Sequence, residues 1–276
     1  MLFVSSLSYA ASPVWKVSKG NSQLYVGGTV HVLGKSDYPL PAAFDIAYAL
    51  SQILVFETDI QAMQSPELQQ KVMANMLYSS GGGLKEVLSD ATYQLLEQHL
   101  ASRGVPIARM KNIKPGMVSM TLTVMELQRL GLAGTGVDEH FNARAVRDQK
   151  VLLSLETVDE QLAFIENLGL GQEDAFIRYT LRDINELPTI MQAIKKSWRR
   201  GDIDKMNVEL LMPFKQDFPK VYNNLIVKRN KAWMPKLVEM MKSAEVEFVL
   251  VGALHLVGKD GVLAELETLG YKVEML

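Results

Sequence analysis

The sequence predicts an α/β protein: a central mixed sheet built from two similar β-α-β halves at the chain ends, with a large helical insertion between them. Three observations predict it. One motif occurs twice, as Gly28-Thr29-Val30-His31-Val32-Leu33-Gly34-Lys35 and as Gly252-Ala253-Leu254-His255-Leu256-Val257-Gly258-Lys259, with glycine, histidine, glycine and lysine in register. Each copy follows an apolar strand-like run, Leu24-Tyr25-Val26 in the first and Phe248-Val249-Leu250-Val251 in the second. The residues between the halves carry mainly helical patterns.

The elements follow in order. Trp15-Lys16-Val17 and residues 23–28 read as strands joined by a turn at Lys19-Gly20-Asn21-Ser22. Pro41 suits a first helical turn, so a helix is expected over 42–52. Ile53-Leu54-Val55-Phe56 is apolar throughout, the pattern of a strand covered on both faces of a parallel sheet. Residues 61–84 read as a helix with a flexible break at Ser79-Ser80-Gly81-Gly82-Gly83, and helices are expected over 91–103, 115–130 and 137–148. Val151-Leu152-Leu153-Ser154-Leu155 reads as a second buried strand. Thr157 and Glu160 have the spacing of a capping box, so a helix starts there. Helices are expected over 172–244, a strand over 246–251, a helix over 259–269 and a last strand over 271–275. Residues 11–276 therefore make a single domain, whose helical insertion, about 61–244, is expected to cover the site as a lid.

Composition narrows the function. At 276 residues with a formal net charge of -2, the chain has no electrostatic footprint for nucleic acid. It has no cysteine, which removes disulfides and thiolate metal sites. Residues 1–10 are apolar and small, and Ser8-Tyr9-Ala10 suits a signal peptidase. Two readings compete, a signal-peptide remnant and a floppy tail; the first is favoured, and with it a protein that is exported, periplasmic or extracellular. No apolar run approaches the roughly 20 residues of a bilayer span, so no integral membrane segment is expected. The basic run Lys195-Lys196-Ser197-Trp198-Arg199-Arg200 before Gly201 reads as a helix C-terminus.

The chemistry centres on the paired histidines. A strand ending in Gly-x-x-His turns sharply and projects the imidazole at the carboxyl edge of the sheet, where open α/β sheets bind ligands. If the chain ends meet, His31 and His255 share one site. Glu57 closes the run Ile53 to Phe56 at the same edge. Two imidazoles and a carboxylate suit a divalent metal with one position open to water, so His31, Glu57 and His255 are the expected ligands. Glu57 is alternatively a general base. Glu156 repeats the strand-end logic after Leu155 and also stands beside a helix start, and Asp138 has a site role or caps a helix. Arg229-Asn230 offers planar donors for a carboxylate or an oxyanion. Asp59 is a lesser candidate, and His99 and His140 receive no role.

Taken together, Val14-Trp15-Lys16-Val17, Tyr25-Val26-Gly27-Gly28-Thr29-Val30-His31, Phe56-Glu57-Thr58-Asp59, Gly136-Val137-Asp138, Leu155-Glu156-Thr157, Arg229-Asn230 and Val251-Gly252-Ala253-Leu254-His255 resemble the TraB/GumN family, which includes the Tiki-type proteins. The resemblance runs from Trp15 to the C-terminus. It implies metal-dependent proteolysis with manganese or cobalt, as in Tiki-type members, at the two histidines and the glutamate; zinc is the further candidate ion. The wider group is similar to erythromycin esterases, whose histidine-based hydrolysis needs no metal, and to haem-binding lipoproteins. The chain lacks a lipobox cysteine, so no lipid anchor is expected. The leading expectation is an exported metallopeptidase acting on a peptide or small molecule, with His31, Glu57, His255, Glu156, Asp138, Arg229 and Asn230 as its catalytic set. The alternatives are a non-catalytic peptide- or haem-binding protein using the same cleft, and a metal-free histidine-based hydrolase.

Overall fold

Six strands form one mixed sheet in the computed structural model, which describes residues 12–78 and 82–276. The expected signal-peptide remnant at 1–10, and residues 79–81 of the expected break, lie outside the described residues. The strands are β1 (Val14–Lys19), β2 (Ser22–Thr29), β3 (Ile53–Phe56), β4 (Val151–Ser154), β5 (Glu247–Gly252) and β6 (Lys272–Met275). Their order across the sheet is β4-β3-β5-β2-β1-β6. β4, β3, β5 and β2 are parallel neighbours, while β1 runs antiparallel to both β2 and β6.

The two predicted halves interleave. β5, from the end of the chain, lies between β2 and β3, and β6 lies outside β1. The register Thr29↔Gly252 therefore puts the two Gly-x-x-His turns side by side at the carboxyl edge. Each crossover passes over a strand of the other half, so the halves cannot part without opening the sheet.

Both faces are covered, as the continuous apolar runs require. One face packs Val26, Val55, Val249 and Val251 against Trp233, Leu237, Leu263 and Leu266, from the helices Arg229–Met240 and Val262–Thr268. On the other, Phe44 stacks against Phe141 at 5.7 Å and tilts against Phe248 and Trp198. Burying each such side chain contributes about 1.5–3 kcal/mol. Trp198 also donates from its indole to the Gly28 carbonyl at 2.7 Å.

The chain divides into two compact units. The sheet unit comprises residues up to Glu57, Thr135–Leu155 and Gln192–Leu276; the helical unit comprises Thr58–Gly134 and Glu156–Met191. The insertion is thus interrupted: 135–155 return to give β4 and the helix Val137–Arg147, and 192–244 belong with the sheet. β4 differs from its predicted character. It pairs with β3 alone and forms the sheet edge, with Val151 55% and Leu153 45% exposed. The helical unit has its own core, where Leu96, Leu100, Val118, Leu122 and Ile177 are buried together. No helix among the described residues is long and apolar enough to cross a membrane.

Candidate functional site

Three parallel strands aim their carboxyl ends at one place. β2 leads through Val30 to His31, β3 ends at Glu57, and β5 ends at Gly252, from which a 3-10 turn, Ala253–His255, carries the second histidine. Gly252 marks the centre. A Cβ built there would lie 3.2 Å from Glu57 Oε1, 3.6 Å from His255 Cδ2 and 3.8 Å from His31 Nε2. The twin imidazoles and the carboxylate therefore meet, as the repeated motif predicts.

The two histidines are held differently. His255 is buried, 4.5 Å ring to ring from Trp233. Its Nδ1 lies 2.7 Å from Asn230 Oδ1. The Asn230 amide is oriented by its own nitrogen, which donates to the carbonyls of His255 at 3.0 Å and Asp260 at 2.7 Å. The oxygen must then face Nδ1, and Nδ1 must carry the proton. Nε2 is left with a lone pair, which accepts from Arg229 Nη1 at 3.0 Å. Burial, reinforced by the Arg229 and His31 charges, pushes the His255 pKa down to about 3 in spite of Glu57, so the ring is neutral.

His31 is two-thirds exposed and bonds Asp138 Oδ2 through Nδ1 at 2.8 Å. Asp138 stands in the first turn of the helix Val137–Arg147. Gly136 lets that turn press onto the His31 backbone, where a Cβ would run into the His31 carbonyl, and Val137 N–H donates to Val30 at 3.1 Å. The Asp138 charge, with its hydrogen bond, raises the His31 pKa to about 9. Exposure of the ring screens that pair.

Glu57 is locked as an anion. Gly252 N–H donates to Oε1 at 2.6 Å, and Arg229 Nη2 donates to Oε2 at 2.5 Å. Burial pushes this carboxyl up, but the Arg229 guanidinium, the His31 charge and the Gly252 bond outweigh it and hold it below the usual carboxylate range. Arg229 is itself buried, with its guanidinium 4.8 Å from the centre of the Trp233 ring.

A cavity of about 330 Å³ opens over this cluster. His31, Glu57, Arg229, Gly252 and His255 line its floor, and Ile194, Met206, Leu210, Leu225 and Ile226 line its wall. The wall residues escaped sequence reading because their spacing is that of any amphipathic helix. Trp233 was open to discovery, since it lies one helical turn after Arg229.

The remaining candidates do different work. Asn230 touches His255 rather than the cavity, so it positions the imidazole. Glu156 is buried in the helical unit, immediately before the Thr157–Glu160 capping box, and does not line the cavity. Asp59 accepts from the backbone of Gln61 and Ala62 at a turn. His140 packs on Tyr38 and Phe141, and His99 lies in the helix Asp90–Ser102.

The expected metal meets an obstacle in this arrangement. His255 Nε2 and Glu57 Oε1 are 3.9 Å apart, but the single lone pair of His255 Nε2 is taken by Arg229, which also donates to Glu57 Oε2. Among the described residues, no group of three histidine or carboxylate side chains has the spacing of a metal site. As placed, these residues do not fit an ion that His255 ligates, because the Arg229 guanidinium stands between its Nε2 and Glu57.

The sequence model of the TraB/PrgY/gumN family matches residues 13–275. No curated protein and no solved structure matches the chain.

Proposed function

The chain belongs to the TraB/PrgY/gumN family, and from that premise we propose that it is a hydrolase in which His31 is the general base and no metal takes part. The observation that carries this reading is the His31–Asp138 pair at 2.8 Å, which leaves Nε2 directed at the cavity floor. Asp138 fixes the ring and strengthens its base form's hold on a proton. His31 Nε2 takes a proton from water, and the oxygen attacks a substrate carbonyl over Gly252. Negative charge develops on the carbonyl oxygen near the Arg229 guanidinium, whose position Glu57 and His255 fix beforehand. As the tetrahedral adduct collapses, His31 returns the proton to the leaving group. Asn230 keeps His255 in the tautomer that accepts from Arg229.

A second reading rests on the convergence of His31 Nε2, Glu57 Oε1 and the His255 ring within 4 Å of one point. It is the metal-dependent peptidase, and it requires an ion to displace Arg229. Elemental analysis of protein purified without added metal, combined with ester hydrolysis before and after chelation, separates the two. Chelator-resistant turnover that disappears in His31→Ala, with an unchanged melting temperature, supports the metal-free base. Stoichiometric metal and loss of activity on chelation replace it with the metallopeptidase. A ligand that raises the melting temperature without being turned over makes the chain a binding protein.

A further inference from the structure

The cavity carries information about what enters it. Its titratable lining groups are His31, Glu57, Arg229 and His255. His31 is bonded to Asp138, Arg229 is paired with Glu57, and His255 donates to Asn230 and accepts from Arg229, the bonds of a neutral imidazole. Arg229, paired with Glu57, stands at the reacting carbonyl, and the wall beyond it is aliphatic, so an ionic group at the far end of an acyl chain meets no counter-charge there.

The wall is aliphatic. Met206 and Ile226 are buried, while Ile194, Leu210 and Leu225 are half-buried. Two π-helical segments build it: Asn207–Leu211 presents Leu210, and Asn223–Lys228 presents Leu225 and Ile226 directly before Arg229. A π turn inserts an extra residue into the helix and is found preferentially at functional sites. Here it sets both the apolar wall and the guanidinium. At ~30 Å³ for each water-sized group, about 330 Å³ holds on the order of ten such groups.

Resting on the hydrolase reading above, we propose that the substrate is a neutral carboxylic ester whose aliphatic acyl chain, of about eight carbons by that volume, lies against Met206, Leu210, Leu225 and Ile226. A chain ending in a carboxylate is excluded, because it would be stripped of water with no cation to meet it.

The test compares kcat/KM for the p-nitrophenyl esters of butyric, octanoic and palmitic acids and for the p-nitrophenyl monoester of suberic acid, which is as long as octanoate but carries a terminal carboxylate. Octanoate is expected to exceed butyrate, palmitate and the suberate monoester by roughly tenfold or more. Leu225→Arg, whose stem can lie along the wall with its head in water, should raise the suberate-to-octanoate ratio by a similar factor. A flat series, or equal rates for octanoate and the suberate monoester, overturns the proposal and leaves the hydrolase reading standing. Absence of turnover with every ester sinks the hydrolase reading, and calorimetry then decides on the ligand alone. Octanamide binding roughly tenfold tighter than suberamic acid upholds the preference, and equal affinities remove it.

Discussion

Arg229 donates from Nη1 to Nε2 of His255 across 3.0 Å, so the second imidazole of a repeated motif serves as an acceptor and is withdrawn from proton transfer. The first imidazole, with Asp138 behind it, keeps its outward nitrogen at the cavity. One sequence pattern thus yields two residues with opposite pKa directions, His31 up and His255 down.

The first prediction concerns the Arg229–Glu57 pair, whose side chains are 8% and 9% exposed. Removing one member of a buried pair strands the other charge and costs about 3–5 kcal/mol. Arg229→Met is therefore expected to lower unfolding free energy by about that amount in urea titrations. Glu57→Gln combined with Arg229→Met should recover at least about half of the loss, because no charge is then left buried. A double variant no more stable than Arg229→Met would show that the guanidinium acts through its packing on Trp233 alone.

The second concerns pH. His31 holds its proton more tightly than an ordinary histidine, so the base form appears only as pH rises. The expected kcat/KM profile climbs with pH, with a midpoint above the ordinary value of about 6.5 and reaching as far as about 9. Asp138→Asn removes the largest raising influence, so the midpoint should move towards acid by about one unit or more. Stability runs the opposite way to activity: the ion pair's contribution is present below about pH 6.5 and fades as pH rises towards 9. Superimposable profiles for the parent and Asp138→Asn would remove Asp138 from the base.

How much of this was legible follows from where each signal arises. Gly-x-x-His occurs at both chain ends because both turns leave the sheet at one edge, and β5 lies beside β2, so the local repeat reported a long-range contact. The Glu57-Thr58 and Glu156-Thr157 echoes look equal in sequence and differ in place. β3 is a central strand beside β5, where Gly252 N–H and Arg229 receive its terminal carboxylate; Glu156 follows the edge strand β4 and opens a stretch of the helical unit. The same edge explains Val151 and Leu153, whose apolarity suggested burial on both faces. Arg229's bond to the His255 lone pair was not readable, since it depends on an amide oriented by two backbone carbonyls. The π turns were equally hidden, because an inserted residue shifts the helical register without changing composition.

The third prediction tests the helical unit separately. Glu126 is buried and accepts from Arg129 at 2.6 and 3.0 Å and from Arg103 at 3.2 Å. The Arg129 bonds, followed by Arg103, hold its pKa at about 2 despite burial. A carboxylate with a lowered folded-state pKa contributes stability above its unfolded pKa, about 4.3, and that contribution is lost as pH falls towards 2. Arg129 is half exposed, which weakens the pair, so Glu126→Gln is expected to cost about 1–2 kcal/mol at neutral pH. Chemical denaturation at pH 7 and pH 3 should show the gap between variant and parent narrowing in acid. A gap independent of pH would mean that Glu126 contributes by shape alone.

The fourth uses the empty side-chain position at the centre of the cluster. Gly252 has φ -50 and ψ 132, angles that alanine adopts without strain. A methyl group there meets Glu57 Oε1 at 3.2 Å, with the two histidines at ordinary contact distance. Gly252→Ala should therefore still fold, with a loss of about 1–3 kcal/mol, yet fill the point at which His31 Nε2 would hold water. Turnover is expected to fall by roughly 100-fold, the lower end of what a positioned base contributes. Gly136→Ala is the contrasting case, because its methyl runs into the His31 backbone and must push the loop away from Asp138. That variant should lose stability as well as activity. If Gly252→Ala keeps full turnover, the reacting carbonyl does not pass over Gly252, and the base has to be sought on another face of the imidazole pair.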